Sequence, residues 1–126
     1  MEIDGTITFF YYDDLETAAR FYEETLGFEK VIDIPLAKVF KVHDGGHVGL
    51  VDGHSGYLKN TADKPVMLSW FSDGIEGWYR HLLEYGVEVE QPPTEQSYLE
   101  MKTMLFRDPE GYLLEILQWL KKPYGF

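Results

Sequence analysis

Apolar and polar positions change period along the chain in the same order twice. An extended apolar run from Thr6 to Asp13 (TITFFYYD) gives way to a 3.6-residue period, in which Leu15, Ala18, Ala19, Tyr22 and Leu26 share one helical face. Val66 to Ser72 (VMLSWFS) is again extended and apolar, and Ile75, Trp78, Tyr79 and Leu82 again form a stripe. Asp14 precedes Gly27, and Asp73 precedes Gly86, by thirteen residues each, which sets a repeat period of 59. Asp13 or Asp14 is placed to cap the first helix, and Glu16 suits its positive end. Asp73 and Glu76 have the spacing of a capping box for the second. Gly27 and Gly86 stand where a left-handed residue ends a helix.

Strand-like segments follow each helix. FEKVIDI and VEVE come directly after the two glycines. Ala37 to His43 and His47 to Asp52 flank a hairpin signal, Asp-Gly-Gly. Tyr98 to Phe106 and Tyr112 to Trp119 flank Arg-Asp-Pro-Glu-Gly, which suits a tight turn. The pattern therefore predicts an α+β chain of two tandem βαβββ modules, residues 1–52 and 64–120. A linker, 53–63, joins them and a tail, 121–126, follows, the whole forming one structural domain.

Composition narrows the function classes. With 126 residues the chain can bury a core without staples, and with no cysteine it has no disulfide, thiolate metal site or thiol nucleophile. The formal net charge of −11 repels phosphate backbones and anionic membranes, which argues against a nucleic-acid partner, and it attracts cationic small molecules. No apolar run reaches membrane-spanning length and Met-Glu-Ile-Asp is not a secretory leader, so a cytoplasmic protein is expected. Aromatic residues make up 16% of the chain, an excess that belongs either to a core or to a surface that stacks on ligands.

Tandem βαβββ modules, DDLETAARFYEETLGFEKV and FRDPEGYLLEI together resemble the vicinal oxygen chelate superfamily, which includes glyoxalases, bleomycin-resistance proteins and extradiol dioxygenases. The resemblance implies curved, cup-like mixed sheets with helices on the outer face, and a homodimer. It also implies a divalent metal in many members, held by a residue seven positions before the first helix-capping aspartate, by its counterpart in the second module, and by the glutamate after Asp-Pro-x-Gly. On this chain those positions are Ile7, Val66 and Glu115, and two aliphatic side chains offer no electron pair to a metal. The expectation is accordingly no cofactor and no metal ligand, with a divalent metal as the alternative.

Three of the four histidines, His43, His47 and His54, fall in one short stretch, KVHDGGHVGLVDGH, with Asp44 and Asp52 among them. A two-residue Gly45-Gly46 turn would send His43 and His47 to opposite faces. A three-residue loop would pair them, but at a hairpin tip. A polar hairpin is the expectation, not a metal centre, and His54 falls in the linker.

Strand alternation assigns the lining of the cup. In phase with Ile7 are Phe9 and Tyr11, and in phase with Val66 are Leu68 and Trp70. Leu113, Leu117 and Trp119 share the face of Glu115. Tyr98, Met101 and Met104 could border the same space, but the register of their strand is open. An aromatic cup with one carboxylate suits a flat apolar or cationic organic molecule, an antibiotic among the candidates, held without a metal. The rival from the same resemblance is a lyase, isomerase or dioxygenase using Glu115 as metal ligand or acid/base. A third is an accessory subunit whose cup is filled by its own side chains.

Overall fold

The computed structural model describes all residues, Met1–Phe126, as two compact units, Met1–Asp63 and Lys64–Phe126. The first unit holds strand β1 (Thr6–Tyr12), helix α1 (Leu15–Arg20) continued by a π turn (Phe21–Thr25), and strands β2 (Glu29–Asp33), β3 (Ala37–His43) and β4 (Gly46–Asp52). The second holds β5 (Met67–Phe71), α2 (Ile75–Glu84), β6 (Val89–Gln96), β7 (Met101–Arg107) and β8 (Leu113–Trp119). Each sheet has four strands, in the orders β1-β4-β3-β2 and β5-β8-β7-β6. The outer pairs β1–β4 and β5–β8 run parallel and the remaining pairs antiparallel. This is the α+β architecture that the sequence pattern predicts. No helix is long and apolar enough to cross a membrane.

One face of each sheet carries its helix. In the first unit Phe10, Tyr12, Phe40, Val48 and Leu50 are fully or almost fully buried together with Leu15, Ala18, Ala19, Tyr22 and Leu26 of the helical segment. In the second unit Phe106, Leu114 and Ile116 are buried, as are Ile75 and Leu82 of α2. Burying side chains of this size stabilises each unit by roughly 2 kcal/mol apiece, and this is what fixes strand phase.

The two helices start differently. Asp14 caps α1, accepting from the Thr17 amide at 3.1 Å and the Thr17 hydroxyl at 2.7 Å. The capping box expected at Asp73 and Glu76 does not form, because α2 begins one residue later, after Gly74. The side chain of Gln118 on β8 instead accepts from the Ile75 amide at 3.1 Å. Gly27 and Gly86 do take the left-handed conformation, at φ 75° and 73°.

These caps expose a slip in the repeat. The first helical residues, Leu15 and Ile75, are 60 apart, whereas the terminating glycines are 59 apart. The π turn at Phe21–Thr25 reconciles the two counts, since a π bulge is one residue inserted into an α-helix. Equivalence before the helices therefore runs at 60, and Ile7, Phe9 and Tyr11 correspond to Met67, Ser69 and Phe71. A shift of one residue moves every strand side chain to the other face.

The edge strand β6 is longer than the segment expected from VEVE and contains Pro92 and Pro93. Two prolines fit there because β6 pairs with β7 on one side only and its register shifts between Gln91 and Thr94. The hairpin between β3 and β4 turns at Asp44-Gly45, not at Gly45-Gly46. Gly45 sits at φ 77°, His43 faces Gly46, and a bulge then sets Lys41 opposite His47. Residues 53–63 fold back on their own unit: Gly53 donates to the Tyr12 carbonyl at 2.7 Å, and Gly56 lies against Val51 and Tyr11.

Candidate functional site

The helix-free face of the second sheet is built from alternate residues of β5, β8 and β7. Met67, Ser69 and Phe71 stand opposite Leu113, Glu115 and Leu117 in the parallel β5–β8 pair. Leu105 and Thr103 continue the rows across β7, and Met101 stands opposite Trp119. Glu115 is half-buried, with leucines beside it on β7 and two residues away along β8 in each direction. Its carboxylate accepts a 2.7 Å hydrogen bond from the Ser69 hydroxyl. That bond satisfies one oxygen and leaves acceptor capacity on the carboxylate for a donor or cation above the sheet.

One pleat repeat along, about 7 Å from the Ser69–Glu115 pair, lies an aromatic group. Phe71 and Trp119 stack nearly parallel, centroids 5.1 Å apart with 12° between their planes. The Phe126 ring packs against both, at 5.5 Å and 5.3 Å and about 60° to each. Beside it, the buried Thr103 hydroxyl accepts from the Gln91 and Gln96 side-chain amides at 3.1 and 3.4 Å, giving this face a polar flank. The Asp-Pro-Glu-Gly motif sets where β8 begins. The buried Asp108 carboxylate accepts from the Glu110 and Tyr112 amides and folds the loop back into Leu113.

The expected lining residues divide on this geometry. Leu113, Glu115, Leu117 and Trp119 do share one helix-free face. Leu68 and Trp70 do not: they pair with Leu114 and Ile116, on the side of α2. Trp70 packs edge-on to Trp78 of α2 at 5.7 Å and to the buried Phe106 at 6.1 Å, so it is a half-buried residue of the helix side. The reason is the slip of one residue, which made Val66 the counterpart of Ile7 where the fold makes it Met67. Met104 is likewise buried on the helix side, and Tyr98 is exposed in the β6–β7 turn. Ser69, Phe71 and Phe126 were missed. Counting back from the start of α2 would have found the first two, and nothing in strand periodicity points to the third.

Phe9 and Tyr11 lie on the corresponding face of the first sheet, in the row of His47, Gly49 and Val51. Phe9 covers Gly49 so closely that a Cβ added there would come within 2.6 Å of its ring. His43 has its Nδ1 3.2 Å from the Asp44 carbonyl, and His54 has its Nε2 3.2 Å from the Asp13 carbonyl. Lys41 pairs with Asp44 across the turn at 2.8 Å, which holds the Asp44 carboxyl below its ordinary range. The Asp52 carboxyl is lowered mainly by the His54 amide and then by the Ser55 hydroxyl.

A divalent ion can be tested against these donors. Within the second sheet the only other donors in the rows beside Glu115 on β5 are the Ser69 hydroxyl and the weakly donating Met67 thioether, and no three His, Cys, Asp or Glu residues are grouped to hold a metal. One carboxylate with a hydroxyl beside it does not fit a transition metal.

Comparison with known proteins places this architecture. The model of the Glyoxalase/Bleomycin resistance protein/Dioxygenase superfamily matches residues 6–116. A lactoylglutathione lyase from Agrobacterium tumefaciens superposes with TM-score 0.76 at 22% identity, over 95% of each chain. A virulence protein from Salmonella typhimurium gives 0.76 at 25%, over 94% of this chain and 99% of that one. A superfamily member from Sphaerobacter thermophilus gives 0.76 at 24%, over 90% and 95%. No curated protein matches the sequence. The family model spans most of the chain, so the chain belongs to the Glyoxalase/Bleomycin resistance protein/Dioxygenase superfamily.

Proposed function

We propose that the protein binds a small organic molecule, aromatic and cationic, on the helix-free face of its second sheet, without a metal. The observation that carries this reading is the pairing of one half-buried, leucine-flanked carboxylate, Glu115, with the aromatic group at Phe71 and Trp119. A flat ring gains stacking area on the aromatics, and a positive charge on it meets the carboxylate in surroundings of low polarity, where the attraction is least screened. The net charge of −11 favours the approach of such a guest, and antibiotics of this chemistry are among the candidates.

Calorimetric titration of a panel of planar organic cations and their neutral isosteres tests the proposal. Glu115→Gln should weaken binding of a cation about tenfold, equivalent to about 1.4 kcal/mol, and leave the neutral isostere unchanged. Equal loss for both, or no binding across the panel, refutes it. The competing reading is a lyase, isomerase or dioxygenase with Glu115 as metal ligand or acid/base, and a stoichiometric divalent metal found in the purified protein by elemental analysis would promote it. The homodimer expected from the family is checked by light scattering.

A further inference from the structure

The last six residues, Lys-Lys-Pro-Tyr-Gly-Phe, leave the sheet after β8 and turn back onto it. Their departure is held at the β6–β7 turn, where the Glu100 carbonyl accepts from the Leu120 and Lys121 amides at 2.8 and 3.4 Å. Glu100 is the one non-glycine residue with positive φ, 53°. The reversal comes at Pro123-Tyr124-Gly125-Phe126. Gly125 takes φ 96°, and the Phe126 amide donates to the Pro123 carbonyl at 3.4 Å. Tyr124 is thrown fully into solvent, and the Phe126 ring is laid on Phe71 and Trp119.

The spacings decide what this ring is. An aromatic cage needs room between its walls for a guest. Here the three centroids are 5.1, 5.3 and 5.5 Å apart, which is direct ring contact. Nothing fits among them. The stacked pair already has an aryl ligand, and it is the chain's own. Yet that ligand is weakly held, because Phe126 stays 64% exposed.

We infer that Phe126 is the resident occupant of the Phe71–Trp119 site, an aryl group carried in cis that an incoming aromatic guest must displace. The inference rests on the binding reading above and deepens it. The guest presents an aryl edge to the stacked pair and its cationic part to Glu115, and its apparent affinity is lowered by the fraction of time that the ring is docked. A ring docked nine-tenths of the time weakens binding about tenfold.

Two measurements on the full chain test this, with ethidium as the planar cationic probe. The first is the indole N–H signal of Trp119 by NMR in the free protein, which should shift in Phe126→Ala through loss of the neighbouring ring. The second is the ethidium dissociation constant, which should fall about tenfold in Phe126→Ala. It should also fall in Gly125→Ala, where the ring is kept but the turn that returns it is strained by a Cβ at positive φ. Equal or weaker ethidium binding by both variants overturns displacement while leaving the binding reading standing. An unmoved indole signal overturns docking itself. Should neither wild type nor variants bind ethidium, displacement falls, and the binding reading falls with it when the rest of the cation panel also fails to bind.

Discussion

At equivalent places the two sheets handle their helix-free faces in opposite ways. In the first, Phe9 folds its ring over Gly49, so the residue opposite has no side chain because a ring occupies its space. In the second, the same two positions hold Ser69 and Glu115, joined by a 2.7 Å hydrogen bond. The first sheet thus closes its centre with its own hydrocarbon, whereas the second sets a carboxylate there and stacks aromatics beside it. One topology supports both because backbone pairing fixes only which residues meet. Whether a meeting point is inert or chemically disposed is settled by two side chains.

The largest expected effect concerns the side of the second sheet that Trp70 occupies. Trp70 corresponds to the fully buried Phe10 and packs on Trp78 and Phe106, so Trp70→Ala should destabilise the protein by about 3 kcal/mol. Trp119→Ala, on the other face and in ring contact only with Phe71 and the exposed Phe126, should cost less than about half of that and instead alter ligand binding. Thermal unfolding of the two variants side by side decides the matter. A Trp119 variant that melts lower than the Trp70 variant would reverse the assignment of faces.

An exchange of the central pair between sheets is the next test. Gly49→Glu alone drives a carboxylate against the Phe9 ring and should cost about 2 kcal/mol. Phe9→Ser alone loses the cover over Gly49. Combined, the two recreate the Ser69–Glu115 arrangement, and the double variant should be more stable than the sum of the singles predicts by about 1 kcal/mol. Urea denaturation of all four proteins gives the coupling, and strict additivity would mean that the pair owes its geometry to something other than its two members.

How far the sequence could be read follows from the same comparison. Apolar periodicity revealed both helices and the succession of strands around them, because burial fixes phase over a whole element and one residue cannot disturb it. It placed Leu113, Glu115, Leu117 and Trp119 on one face for the same reason. It failed on Leu68 and Trp70, because the counterpart positions were counted from Asp14 and Asp73, and a π turn inside the first segment leaves that period one residue short for the strands before the helices. Both faces of β5 are apolar, so its own pattern could not correct the error. Phe126 was beyond the reach of any periodicity, since its position depends on a turn set by Pro123 and Gly125 and not on a strand or helix.

The smallest expected effect distinguishes how the first unit secures its outer strands. Lys38 reaches Asp33 at 2.5 Å, the Ile34 carbonyl at 3.1 Å and Glu16 of α1 at 3.5 Å, while Lys30 bridges Glu23 and Asp33 at 3.1 and 3.2 Å. Hydrogen bonds from Lys38, then Lys30, hold the Asp33 carboxyl below its ordinary value of 3.8, and the same contact raises Lys38 above 10.5. A lowered carboxyl contributes stability that is present above about pH 4 and lost as the pH falls through its folded value. A raised amine contributes stability that is lost only above about pH 10.5. Between these limits the network is indifferent to pH. Asp33→Asn should therefore lower the melting temperature slightly at pH 7, and the difference should shrink as acid takes the pH down through the folded value of the Asp33 carboxyl. Because the Asp33 side chain is exposed and screened, salt should shrink the difference at pH 7. An Asp33→Asn penalty that stays as large in acid as at pH 7 would mean that packing and not charge ties β2 to β3.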